Sequence, residues 1–184
     1  MKHAPKDRPH VGGHAGKTHL DEGILDFFLK EFKILTMLDI GCGPGGMIGL
    51  ATEKGINAYG IDGDYRLKEN NPEKIIIHDF TEGPYQHNTK YNLGYSCEFL
   101  EHVYEQYMPN YMESFKSCEH IVITYAPEGT PGHHHVNCQN ENYWIDKFTN
   151  FGFEYNKDIT EQVRKHSSMK REFIRDYGLY FRKK

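Results

Sequence analysis

The stretch ILTMLDIGCGPGGM, residues 34–47, limits the folds open to this chain more than any other segment. An apolar run rich in strand-forming residues breaks into a glycine-dense turn and then into a helical pattern. Without a Cβ, the glycines there permit backbone conformations and close approaches denied to other residues. A strand that turns so tightly into a helix opens a βαβ unit, and the rest of the chain continues the alternation. Further strands are expected at 57–62, 74–80, 91–97, 120–126, 152–156 and 178–183, with helices near 19–32, 45–54, 99–117, 140–150 and 159–171. The pattern predicts an α/β fold with a mainly parallel sheet. With 184 residues and no repeat or low-complexity linker, the expectation is one domain over 1–184: a flexible arm over 1–18 and a core over 19–184.

Composition narrows the setting. No apolar run approaches the roughly 20 residues a membrane helix needs, and the first residues, MKHAPKDRPHVGGHAGKTH, lack the apolar segment of a secretory signal. Cys42, Cys97, Cys118 and Cys138 are widely spaced, which argues for free thiols rather than a disulfide or zinc framework. A cytoplasmic location is expected. Net charge is −4, unevenly spread: from Glu161 to Lys184 eight Lys and Arg face three Asp and Glu. That basic end reads as a solvated face or as a rim attracting an anionic acceptor.

Two features near the start need separating. VGGHAGKTH imitates a phosphate-binding loop, but Val11 stands where the first glycine is required and no strand precedes it. Thr18 and Asp21 instead have the spacing of a helix capping box for LDEGILDFFLKEF.

The glycine turn fits two ligands. Gly41, Gly43 and Gly46 match the G-x-G-x-x-G of dinucleotide sites, and Asp62, ending the second strand, suits the ribose of either ligand. Asp39 discriminates. A pyrophosphate about 5 Å from that carboxylate would be repelled by roughly 3 kcal/mol per charge pair at an effective dielectric near 20. The ammonium and sulfonium of S-adenosylmethionine would be attracted. Pro44 also removes an N–H that a pyrophosphate would use.

MLDIGCGPGG, followed by AYGIDGD, IIIHDF and YNLGYSCEFLEHV, resembles a class I S-adenosylmethionine-dependent methyltransferase from about residue 34 to the C-terminus. The resemblance implies a Rossmann-like, doubly wound seven-stranded sheet with one antiparallel strand near the C-terminus. It also implies that Asp39, Gly41, Gly43 and Gly45 line the methionine end of the donor, that Asp62 holds the ribose, that Asp79 and Phe80 flank the adenine, and that Cys97 borders the methyl group. Asn92, where relatives often carry Asp, and Gly63 after Asp62 depart from the pattern.

Acceptor groups are expected after the fourth and fifth strands. EFLEH supplies Glu98, Glu101 and His102, which would share one face if helical. APEGTPGHHHVN adds His133, His134 and His135. Two carboxylates and two imidazoles make a set for a divalent ion such as Mg²⁺, able to acidify and orient an acceptor hydroxyl. The E-x-x-E-H pattern with a later histidine resembles the metal site of small-RNA 3′-terminal 2′-O-methyltransferases. By that resemblance Glu98, Glu101, His102 and His134 or His135 would be ligands, His135 being the one adopted here. Metal-free transfer to oxygen or nitrogen, with His102 and His134 as bases, stands beside it. The expected acceptor is a small molecule or anionic compound, with a glycan or RNA terminus also compatible and no membrane or protein partner indicated. A non-catalytic donor-binding module and a nicotinamide-dependent oxidoreductase are the rival readings.

Overall fold

In the computed structural model, which describes residues 8, 10–71 and 73–184, the glycine turn joins β1 (Thr36–Ile40) to α2 (Gly46–Glu53). β1 is nearly at the centre of a seven-stranded sheet because both its neighbours pair with it in parallel. Asp39 lies beside Gly60 of β2 (Asn57–Asp62) and beside Tyr95 of β4 (Tyr91–Ser96). β3 (Ile75–Ile77), β5 (Cys118–Thr124), β6 (Phe153–Tyr155) and β7 (Gly178–Lys183) complete the order β3-β2-β1-β4-β5-β7-β6. β7 runs antiparallel to both its neighbours, so the expected architecture is present. Strand order reverses between β1 and β4, which opens a crevice at their carboxyl ends.

Side chains alternate across the sheet with the two-residue period of a strand. Met37, Leu93, Val122 and Tyr180 meet α1 (Glu22–Phe32), α2 and α5 (Lys157–His166) through Ile24, Met47 and Val163. Leu38, Ile40, Ile121 and Phe181 face the other way, onto Phe115 of α3 (Met108–Phe115) and Trp144 and Phe148 of α4 (Glu141–Asn150). Phe148 is fully buried and stacks on Phe181 with ring centroids 4.5 Å apart. By the same alternation Asp39 points to the α1 face, among apolar neighbours.

Three expected helices are corrected. The helix predicted over 99–117 exists only as α3, preceded by short 3₁₀ turns at Leu100–His102 and Glu105–Tyr107. Pro109, in the first turn of α3, has no N–H to carry a helix back through residue 105. The helix near 19–32 begins later, because Asp21 rather than Thr18 caps it, accepting from the Ile24 N–H at 3.2 Å. Thr18 caps a different helix: its hydroxyl accepts from the Gly46 N–H at the start of α2 at 3.0 Å. The last predicted helix stops at His166, where Ser167 and Ser168 bond to the buried Asp21; a short α6 (Phe173–Tyr177) then leads into β7. No helix of the described residues is long and apolar enough to cross a membrane.

Candidate functional site

A cavity of about 830 Å³ occupies the crevice at the carboxyl ends of the strands, within the range of small-ligand pockets. Asp39, Gly41, Gly43, Asp62, Asp79, Phe80, Cys97, Glu98, His102, His134 and His135 all line it. Gly45 does not; it caps α2 from a left-handed conformation. Glu101 is buried behind the wall rather than on it.

The floor is the glycine turn. Gly41 has φ of +78°, and a Cβ added there would come 2.5 Å from the Phe99 ring. Both conditions exclude any other residue without a shift of the loop. Asp39, beneath the turn, is buried; desolvation first, and the nearby Asp62 charge second, push its carboxyl up to about 8. Asp62 accepts from the N–H groups of Gly43 and Asp64, each at 2.8 Å. Burial still raises it.

The arm closes this side of the cavity. Of the segment expected over 1–18, residues 1–7 and 9 lie outside the described part. His10 Nε2 is 2.7 Å from Asp79, which also receives Arg8 at 3.2 Å and the Thr81 N–H at 2.9 Å. His14 reaches Asp64 at 3.1 Å, and Arg66 grips that carboxylate through Nε at 2.8 Å and Nη2 at 2.6 Å. Burial alone would raise Asp64 and Asp79. The hydrogen bonds from Arg66 to the first and from His10 to the second outweigh it and hold both below the usual carboxylate range. Asp64, fully buried behind the wall, anchors His14 of the arm, a role the motif reading missed. Its signal was the Asp-Gly-Asp of AYGIDGD.

The opposite wall is built by two loops. Glu98 follows β4 in a left-handed conformation, φ +56°, with its N–H donated to the Thr124 hydroxyl at 2.8 Å. Glu98 therefore does not ride on a helix with Glu101 and His102, although its carboxyl still meets that of Glu101. Ligand atoms of Glu101, His102 and His135 do converge, all within 4.8 Å of one another; Glu98 and His134 are outside that group. The carbonyl of Glu101 accepts from the N–H groups of Val136 and Asn137 at 2.9 and 3.1 Å, which draws the histidine loop onto it.

Tautomers follow from those loops. His102 Nδ1 lies 2.8 Å from the His133 carbonyl, and His135 Nδ1 lies 3.0 Å from the Thr130 carbonyl. A carbonyl only accepts, so both Nδ1 atoms carry hydrogen and both Nε2 atoms offer lone pairs. His102 Nε2 is 4.0 Å from Glu101 Oε1. Burial first, and the adjacent His135 second, bring His102 down to about 4, so it is neutral at physiological pH.

Glu101 is fully buried, and the only side chain that can hydrogen-bond its carboxyl among the described residues is a second acid, Glu98, through a shared proton. Burial first, then Glu98, push it well up. Two buried carboxyls facing each other cannot both ionise without a cation between them except at high cost. Two oriented imidazole lone pairs beside it are what a divalent cation would satisfy, and nothing else in the group supplies positive charge. The residues fit such an ion. His134 has a different setting, with its ring 5.4 Å from Tyr104 and 6.2 Å from His10, and its Nε2 buried without a partner.

A family model described as a methyltransferase domain matches residues 13–158. No curated protein sequence matches. Among solved structures, magnesium protoporphyrin IX methyltransferase from Synechocystis PCC 6803 with bound SAM superposes with a TM-score of 0.61 at 16% identity, over 89% of this chain and 77% of the other. A TehB-like SAM-dependent methyltransferase from Corynebacterium glutamicum gives 0.62 at 18% identity, covering 88% of each chain. The methyltransferase domain of bacterial CtHen1 gives 0.54 at 15% identity over 87% of this chain and 95% of that one. At these identities the likeness is one of fold.

Proposed function

The chain belongs to the class I S-adenosylmethionine-dependent methyltransferase family, and on that premise we propose that it transfers the donor's methyl group to an oxygen of a small acceptor, assisted by a divalent cation at Glu101, His102 and His135. The dinucleotide alternative falls with that membership. The observation that carries the metal half is the buried Glu101 carboxyl, faced by a second acid and lying within 4.8 Å of ligand atoms of two histidines whose Nδ1 atoms are held by carbonyls.

Bound together, the donor would supply a methyl carbon already activated by its sulfonium, and the ion would supply Lewis acidity toward an acceptor oxygen. The chain supplies position and charge. Asp39 attracts the cationic donor, Gly41 and Gly43 let the backbone approach it, and Asp62 and Asp79 suit its ribose and adenine ends, with Phe80 against the ring. Cys97, well above its ordinary value because it is buried, stays a neutral thiol beside the methyl path. Glu98, raised to about 7 by burial, lines the cavity within the same loop and is placed to take the acceptor's proton. Holding both reactants in one enclosed crevice removes the entropy of their encounter from the barrier.

The arm crossing from Asp79 toward the histidine loop leaves room for a compact acceptor. Gly13 lies against both His102 and His133, where an added Cβ would be 3.7 and 3.4 Å from their rings. Incubation of cell-extract metabolites with the protein and isotopically labelled donor, read by mass spectrometry, should yield a labelled small product whose formation stops with EDTA and returns with Mg²⁺ or Mn²⁺. Undiminished turnover in EDTA would remove the ion from the reaction and leave Glu98 and the histidines as the remaining acid–base groups.

A further inference from the structure

Five of the six arginines hold a carboxylate: Arg8, Arg66, Arg164, Arg175 and Arg182. Arg171 makes no such contact among the described residues; Glu98 of the acceptor wall feels its charge, but from beyond ion-pair distance. Its guanidinium lies 6.0 Å from the centre of the Phe173 ring, and His19 packs edge-on to the same ring at 5.0 Å. Arg171, Phe173, His19 and the exposed Lys17 all line the cavity.

The fold gives this cluster a fixed platform on the acceptor half. The loop bearing Arg171 is pinned to α1, where the Gly23 N–H donates to Ser168 at 2.8 Å and the Ser168 N–H donates to Asp21 at 2.9 Å. The same segment leads through α6 into Gly178, which pairs with Thr124 at the carboxyl end of β5. Thr124 in turn accepts the Glu98 N–H. The acids after β2 and β3 already hold Arg8 and Arg66 in ion pairs, so the arginine of the cavity wall that is outside any ion pair among the described residues sits here. A guanidinium shelved on an aromatic ring, with a lysine beside it, presents the forked donors that carboxylates and phosphates select.

We infer that Arg171, flanked by Lys17 and His19, is the subsite for an anionic group, carboxylate or phosphate, carried by the methyl acceptor. This rests on the methyl-transfer reading. The other source of the same chemistry is the donor's own α-carboxylate, and the test separates them.

Wild type and Arg171→Gln, an exposed substitution whose folding is checked by Tm, are titrated with S-adenosylhomocysteine and with 5′-methylthioadenosine, which lacks the amino-acid end. Each protein saturated with S-adenosylhomocysteine is then titrated with inorganic phosphate and followed by amide NMR. The expected result is unchanged nucleoside affinity, saturable phosphate shifts at Lys17, His19 and Arg171 in wild type, and at least tenfold weaker phosphate binding in the variant. A tenfold loss for S-adenosylhomocysteine with none for methylthioadenosine would overturn the acceptor assignment and give the cluster to the donor's carboxylate. Phosphate binding that is absent from wild type, or equal in both proteins, would overturn the subsite. Failure of wild type to bind S-adenosylhomocysteine at all would strike the methyltransferase reading instead.

Discussion

Asp62, Asp64 and Asp79, at or beyond the ends of β2 and β3, are each held by backbone N–H groups, and two of them also by side chains of the arm. Glu101, in the loop after β4, is more deeply buried than Asp79, and among the described residues its carboxyl meets only another acid, Glu98. One side of the cavity is thus electrostatically finished before any ligand arrives, and the other is not. On the proposed reading the finished side only has to recognise a nucleoside. The unfinished side would carry an energetic debt that a cation relieves, and relief of that kind would tie binding to chemistry. Asp39 stands between the two: it lies beneath the glycine turn, proposed to hold the methionine end of the donor, and like Glu101 it is raised by burial.

The largest expected effect breaks the finished side mechanically. Gly41→Ala adds a Cβ 2.5 Å from the Phe99 ring at a φ of +78°. Strain at such a position is of order 1–3 kcal/mol before the clash is counted. Calorimetric affinity for S-adenosylhomocysteine should fall by about 100-fold or more, with the metal group left able to bind Mn²⁺.

Glu101→Gln breaks the unfinished side. Manganese binding, followed by paramagnetic relaxation of water, should weaken by about 10- to 100-fold, in line with lost metal-site groups elsewhere. In EDTA the variant should be about as stable as wild type, because burial and Glu98 already hold Glu101 protonated and the amide matches that neutral acid in shape. A variant that melts well below wild type in EDTA, with manganese affinity intact, would mean that Glu101 is structural.

The pH dependence sharpens the contrast through Asp39. Its folded value near 8 lies above the ordinary 3.8, so between those values the folded chain binds more protons than the unfolded one. Stability of the ligand-free protein should therefore fall as pH rises through that window. Binding of a cationic donor needs the ionised carboxylate, so affinity should climb between pH 6 and 8 by at most about tenfold per pH unit, and level off above. Asp39→Asn should flatten that profile. Asp64 and Asp79, held low, should add no pH dependence over the same range.

The smallest effect concerns the arm. Thr18→Ala leaves the Gly46 N–H without its cap and should cost about 1 kcal/mol, seen as a modest fall in Tm and a weaker grip on the donor. Calorimetry and thermal melts of the same sample check both.

The same contrast explains what the residues disclosed in advance. The order of strands, the glycine turn and Asp62 are legible because each lies at the junction of a strand and its turn, where local pattern and sheet geometry coincide. Thr18 was legible as a cap but not as the cap of α2, since its partner Gly46 is far along the chain. Glu98, Glu101 and His102 looked like one helical face, but Pro109 shifts the helix start and Glu98 reaches the Glu101 carboxyl from a left-handed loop instead. The convergence of His102 with His135 depends on the Glu101 carbonyl drawing in Val136 and Asn137, a contact between loops that no spacing announces. Arg171 was visible only as part of a basic end. That it stands outside every ion pair of the described residues is a property of the folded chain.

Titration calorimetry of S-adenosylmethionine and NAD against wild type and Asp39→Asn bears most directly on the reading of the glycine turn. The account predicts that wild type binds the sulfonium nucleoside, that NAD gives no saturable heat, and that Asp39→Asn weakens the first without creating the second. Saturable NAD binding by wild type, with S-adenosylmethionine unable to displace it, would contradict it.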